Sequence, residues 1–143
     1  MPTTVRSDID IETIQRLSIS LNDCFSTLDA APGVFSDDAF FDLLPPLWRF
    51  QLQGPDALVA QLRAIAQGET SARILRVVPT TTGFVMEHEE TQQLPDGTVE
   101  IARRIFLCEV QDDRITEVSC YCNGGWDDEL RARHAAEAPM LRP

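Results

Sequence analysis

The sequence predicts an α+β fold, with helices in the N-terminal half and one mainly antiparallel sheet after them. Three observations carry that expectation. Apolar residues recur at helical spacing from Ile14 to Leu28 and again from Leu58 to Ala66. From Phe84 to Tyr121 the pattern turns to alternation, broken at Pro95-Asp96-Gly97-Thr98 and again at Asp112-Asp113. Strand then follows strand with no helix between them, as in a meander.

Taken in order, Met1–Ser7 is a polar lead-in. Ser7 or Asp8 can cap the first helix, whose opening turn carries Asp8, Asp10 and Glu12 where the helix dipole favours negative charge. Ile14, Leu17, Leu21, Cys24, Phe25 and Leu28 form its buried stripe, and Ala30-Ala31-Pro32-Gly33 stops it. Ser36-Asp37-Asp38-Ala39 reads as the capped start of a short helical turn running into Phe40-Phe41-Asp42-Leu43-Leu44. After the break at Pro45-Pro46, Trp48, Phe50 and Leu52 alternate with Arg49, Gln51 and Gln53 as a short extended piece. Gly54-Pro55-Asp56 opens a second helix with Leu58, Val59, Leu62, Ile65 and Ala66 on its buried side and Gly68 as its stop. Ile74 to Val78 is a strand, Pro79 to Gly83 a turn, and three longer strands follow. Asp127 opens a short polar helix through His134, and Glu137 to Pro143 reads as a tail.

Asp-Gly between alternating segments signals a two-residue hairpin loop with positive φ at both positions. With Asp96-Gly97 as that loop, Leu94 faces Val99, Glu90 faces Arg103, His88 faces Ile105 and Met86 faces Leu107. With Asp112-Asp113 as the next loop, Leu107 faces Val118, Ile105 faces Cys120 and Arg103 faces Cys122. Alternation then collects Phe84, Met86, His88, Glu90, Ile101, Arg103, Ile105, Leu107, Val118, Cys120 and Cys122 on one face. Apolar sides with a few convergent titratable groups are how a cavity wall reads. Val85, Glu87, Glu89, Arg104, Phe106, Cys108, Glu117, Ser119 and Tyr121 fall on the other face. That face is mixed, which suits solvent or a partner subunit and points to a homodimer.

At 143 residues, with 43% hydrophobic and 24% charged, the chain is expected to be one domain over 1–143 with an ordered core at about 8–134. A formal net charge of −11 repels phosphate backbones and anionic lipid, so neither nucleic acid nor membrane is an expected partner. The N-terminus lacks the basic and apolar regions of a signal peptide, so a cytoplasmic location is expected. Four cysteines do not make a disulfide framework at this size. Cys120 and Cys122 share their face with His88, but they lack CxxC spacing and read as buried hydrophobes, so no metal is expected. Asn123-Gly124-Gly125-Trp126 is a turn with neither a P-loop nor a dinucleotide fingerprint, and no cofactor is expected.

Asp42 is the sharpest catalytic candidate. Between Phe40, Phe41, Leu43 and Leu44 a carboxylate loses hydration and becomes a better proton acceptor, unless it caps a turn or pairs with Arg49. His88, between Phe84, Met86 and Ile105, reads either as a proton shuttle or as a core histidine satisfied by one hydrogen bond. Glu90 and Arg103 read as a cross-strand ion pair that could orient His88 or bind a substrate oxygen. Trp48, Phe84, Met86, Ile105, Cys120, Cys122 and Trp126 complete the expected wall of a binding pocket.

Helix, acidic turn, helix and a meander of long strands resemble the cone-shaped α+β fold of the nuclear transport factor 2-like (NTF2-like) superfamily, in particular its SnoaL-like group. The resemblance spans about Asp8 to Asp127. Phe35-Ser36-Asp37-Asp38-Ala39-Phe40-Phe41-Asp42 is similar to the ketosteroid isomerase segment in which two acids precede the base, and Asp42 matches that base. Ile115 to Cys122 is similar to the last strand, which runs down the cavity. The isomerase's first-helix tyrosine has no counterpart, because the one tyrosine is Tyr121, and Phe106 stands where its protonated acid would fall. A histidine on the strand after the third helix marks dehydratases of the superfamily, and His88 lies on such a strand. The resemblance implies a curved, mainly antiparallel sheet wrapped around the N-terminal helices and enclosing an apolar pocket, and a cofactor-independent acid/base enzyme: an isomerase, cyclase or dehydratase. Its substrate would be a small apolar carbonyl or a polycyclic molecule, such as a polyketide or steroid-like metabolite. The alternative it implies is a non-catalytic small-molecule-binding protein or accessory subunit.

Overall fold

In the computed structural model, which describes residues 8–142, the chain runs α1 (Ile11–Thr27), β1 (Phe35–Leu44), β2 (Phe50–Gln53), α2 (Pro55–Ile65), β3 (Glu69–Pro79), β4 (Gly83–Gln93), β5 (Val99–Gln111), β6 (Arg114–Cys122) and α3 (Asp128–Glu137). The expected lead-in Met1–Ser7 lies outside the described residues. One six-stranded sheet has the order β2-β1-β6-β5-β4-β3, antiparallel throughout except where β1 runs parallel to β6. Irregularities in β1, β3 and β6 add local twist, and the sheet curves around α1. Ile14, Leu17, Leu21, Cys24 and Phe25 of α1 pack on Phe41, Phe84, Met86, Phe106, Val118 and Cys120 in the core. Among the described residues, no helix is long and apolar enough to cross a membrane.

Several local expectations change. Asp10 rather than Asp8 caps α1, its carboxylate accepting from the Glu12 N–H. The segment Ser36–Ala39, expected as a helical turn, belongs to β1. Partners distant in sequence decide this: Phe41 and Leu43 pair with Val118 and Cys120, and Ala39, Phe41 and Leu43 alternate into the core. Gly68 is not the stop of α2, which ends at Ile65 with Ala66 as its cap. It lies against the end of β4, where an added Cβ would stand 1.9 Å from the Gln93 carbonyl oxygen. β3 begins at Glu69, five residues before the expected Ile74.

The largest correction is the register. Gln93 pairs with Val99, and the Leu94 N–H donates to the Thr98 carbonyl at 2.8 Å, which leaves a three-residue loop, Pro95-Asp96-Gly97. A two-residue loop would need the N–H of residue 95 to close the ladder on Thr98, and proline has none. Pro95 instead opens a tight turn in which the Gly97 N–H donates back to Leu94, and Gly97 takes the left-handed conformation at φ 88°. The second loop is as expected, with Asp112 and Asp113 at φ 50° and 60° and Gln111 opposite Arg114. An extra residue, Thr116, then shifts β6 by one against β5. Met86 therefore faces Phe106, His88 faces Arg104, and Arg104 faces Cys122. The faces of β4 and β6 stand as expected and that of β5 is inverted: Arg104, Phe106 and Cys108 point inward, while Arg103, Ile105 and Leu107 point outward.

Candidate functional site

Inverting β5 places an arginine where the core meets a cavity. The Arg104 guanidinium binds the Glu90 carboxylate at both ends, Nη1 to Oε2 at 2.5 Å and Nη2 to Oε1 at 3.4 Å. Behind it stands His88, wholly buried, with Nε2 3.4 Å from Arg104 Nη1 and Nδ1 3.0 Å from the Asn22 side-chain oxygen. Asn22 in turn donates its amide to the Ala72 carbonyl at 3.0 Å. The sequence of partners fixes the tautomer: Nδ1–H donates to Asn22 and the Nε2 lone pair faces the guanidinium. Phe25 stacks edge-on to His88 and lies 5.4 Å under the guanidinium carbon of Arg104. Asn22 thus ties α1 to β3 and β4 directly, and to Arg104 on β5 through His88.

On the open side of Arg104 lies a cavity of about 180 Å³ between α1, α2 and the ends of β4 and β5. Phe25, Leu28, Leu62, Ile65 and Ala66 supply its apolar lining, and Thr70, Glu90, Gln92, Glu100, Arg104 and Cys122 its polar lining. Gly125, just beyond β6, closes its rim. Deeper in the cone Phe41, Phe84, Met86 and Phe106 pack at 1% exposure or less.

Burial, with the positive charge of Arg104 second, holds the His88 imidazole down at about 3, so the ring stays neutral across the physiological range. Burial pushes the Cys120 thiol up to about 12 and raises Cys108 well above its ordinary value, which makes both inert hydrophobes.

The sequence-predicted residues divide accordingly. Glu90 and Cys122 line the cavity, and His88 stands one layer behind it. Phe84, Met86 and Cys120 are core. Asp42 alternates with Phe41 and Leu43 and so lies on the outer face, held by Arg49 at 2.7 and 2.9 Å. That contact, chiefly the Arg49 hydrogen bond, lowers its pKa below the usual carboxylate range. Asp42 and His88 therefore share no cavity that a bound molecule could occupy between them. Arg103 points outward and lies 3.6 Å from Glu89, so the partner of Glu90 is Arg104 and not Arg103. Ile105 is outward and 40% exposed, and Trp48 stands in solvent at 72%. Trp126 pairs with Ile101 through both backbone hydrogen bonds and packs at a tilt against His134 rather than lining the cavity. Arg104, Asn22 and Glu100 were not anticipated. The missing N–H of Pro95 was the available signal for Arg104, and a polar residue beside the apolar stripe of α1 was the signal for Asn22.

No protein-family profile matches the sequence, and no curated protein matches it. Solved structures do match in shape. A protein from Jannaschia described as a SnoaL-like polyketide cyclase by assignment superposes with a TM-score of 0.63 over 96% of this chain and 100% of its own, at 14% identity. The chain has the NTF2-like fold. Within that fold, an LEH-like epoxide hydrolase of M. tuberculosis superposes at TM-score 0.60 and 16% identity, over 78% of this chain and 83% of its own. A Δ5-3-ketosteroid isomerase from Mycobacterium reaches 0.57 at 18% identity, over 82% and 95%. NTF2-like neighbours with such different chemistries share a cone and a sheet, and at these identities the likeness speaks for the fold alone.

Proposed function

We propose that this NTF2-like chain binds a small molecule in the cavity beside Arg104, and that binding, rather than proton transfer through Asp42 and His88, is its function. The observation that carries the reading is the Glu90–Arg104 pair, a doubly bonded ion pair braced by His88 whose near side forms the cavity wall. A cavity of about 180 Å³ falls below the roughly 300–1,000 Å³ of sites for drug-sized ligands, which favours a compact ligand over a polycyclic one. Titrating small fragments while following the amides of Thr70, Gln92, Ala102 and Cys122 tests it. Shifts confined to these residues, abolished by filling the cavity with Ala66→Trp, are expected; shifts unchanged in that variant would overturn the reading.

One observation favours a second reading, a cofactor-independent acid/base enzyme of the isomerase, cyclase or dehydratase type. Glu90 lines the same cavity as a guanidinium able to polarise a substrate oxygen, so it takes the place expected for Asp42. Turnover that survives Asp42→Asn and is lost in Glu90→Gln would establish it.

A homodimer through the outer face belongs to the same proposal. Leu44, Tyr121 and Ile105 are neighbours in one cross-strand row there, with Leu107 and Val85 in the next. Ile105, Leu107 and Tyr121 are 40–49% exposed.

A further inference from the structure

We infer that the cavity selects a compact cation, of the alkylammonium class, through the carboxylate of Glu100; this rests on the binding reading above. Three charged residues line the cavity: Glu90, Arg104 and Glu100. Glu90 and Arg104 neutralise each other in a doubly bonded pair, and the remaining exposed side of Arg104 is small, at 14% of the side chain. Glu100 has no such compensation. Among the described residues its carboxylate has neither an ion-pair nor a hydrogen-bond partner. The cavity therefore carries one surplus negative charge.

The carboxylate stands against a glycine at the cavity rim. Glu100 lies opposite Gln92 on the inner face of β5 and reaches Gly125 at the rim. A Cβ added to Gly125 would stand 2.5 Å from Glu100 Oε2 and 3.2 Å from its Cδ, so a side chain there would turn the carboxylate aside. Facing it across the cavity, Leu28, Leu62 and Ile65 offer aliphatic surface to the body of a ligand. The ring of Phe25 is already covered by Arg104, so the recognition is carboxylate plus aliphatic wall and not an aromatic cage. The formal net charge of −11 adds a long-range field that concentrates cations and repels anions.

Choline and its uncharged carbon isostere, 3,3-dimethylbutan-1-ol, separate charge from shape. Both are titrated into the native chain while the amides of Thr70, Gln92, Ala102 and Cys122 are followed. Choline is expected to bind about three- to tenfold more tightly than the alcohol, as a partly screened ion pair would give. Glu100→Gln should erase that preference and leave the alcohol unchanged. Gly125→Ala, which keeps the charge and displaces it, should weaken choline by a smaller factor. Equal binding of the two probes, or choline affinity untouched by Glu100→Gln, would overturn the ligand class while the cavity reading stands. If neither probe moves these amides, and fragments of other charge do not either, the cavity reading falls and the inference with it.

Discussion

Two arginine–carboxylate pairs sit on opposite faces of one sheet. Asp42 and Arg49 meet on the outer face at 2.7 and 2.9 Å, with 59% of the arginine side chain and 15% of the aspartate exposed. Glu90 and Arg104 meet on the inner face, with 14% of that arginine and 11% of the glutamate exposed. Their contacts are alike and their surroundings are not. Water has access to Arg49 and can take its place beside Asp42. Inside, the loss of one partner strands a charge in a medium that solvates it poorly, so the inner pair is bound to its neighbours as the outer one is not.

The sharpest way to break this comparison is Arg104→Leu. Stranding Glu90 should destabilise the protein by roughly 3–5 kcal/mol in urea unfolding, with Glu90→Gln added to Arg104→Leu recovering much of it. A loss below about 1 kcal/mol would put the inner pair in the class of surface pairs.

Acid comes next. The unfolded chain takes up a proton on His88 at about 6.5 and the folded chain at about 3, so between those values the unfolded state binds more protons. Stability should be full above about pH 6.5 and fall as the pH drops toward 3, by roughly 3–5 kcal/mol from this group. The slope in His88→Gln should be shallower by that amount. Equal slopes in the two proteins would mean that the buried ring is not held neutral.

A smaller effect is expected on assembly. Tyr121→Asp and Ile105→Asp on the outer face should lower the mass seen by light scattering at micromolar concentration and leave the unfolding midpoint of the monomer nearly unchanged. A native chain already monomeric there would remove the dimer. Smallest of all, Arg49→Ala should leave the urea midpoint within error of the native chain, and a clear shift would mean that the two pairs are not so different.

The stripe of α1 was legible because Ile14, Leu17, Leu21, Cys24 and Phe25 repeat at one helical face. So were the inward residues of β4, since Phe84 and Met86 alternate with Val85, Glu87 and Glu89. β5 was not, because it is apolar at both parities: Ile101, Ile105 and Leu107 on one side, Ala102, Phe106, Cys108 and Val110 on the other. Hydrophobic alternation cannot choose a face for such a strand, and the choice passed to one missing N–H at Pro95 and one extra residue at Thr116. Asp42 was misplaced for a related reason. Phe40, Phe41, Leu43 and Leu44 flank it on both parities, and its outer position follows from pairing with β6, more than 70 residues away.

That parallel pairing also sets a calendar for folding. β1 sits between the four-residue β2 and the nine-residue β6, so its main ladder partner is made last among the strands. During synthesis, Phe35–Leu44 must wait with one edge open until Arg114–Cys122 has left the ribosome. Contacts that span so much chain slow folding, because the loop must close before they form. In pulse-labelled hydrogen exchange, the amides of Phe41 and Val118 should gain protection together, later than those of the β4–β5 hairpin. Gly97, by contrast, turns a hairpin whose strands are adjacent in sequence, which marks that hairpin as the early piece of the structure.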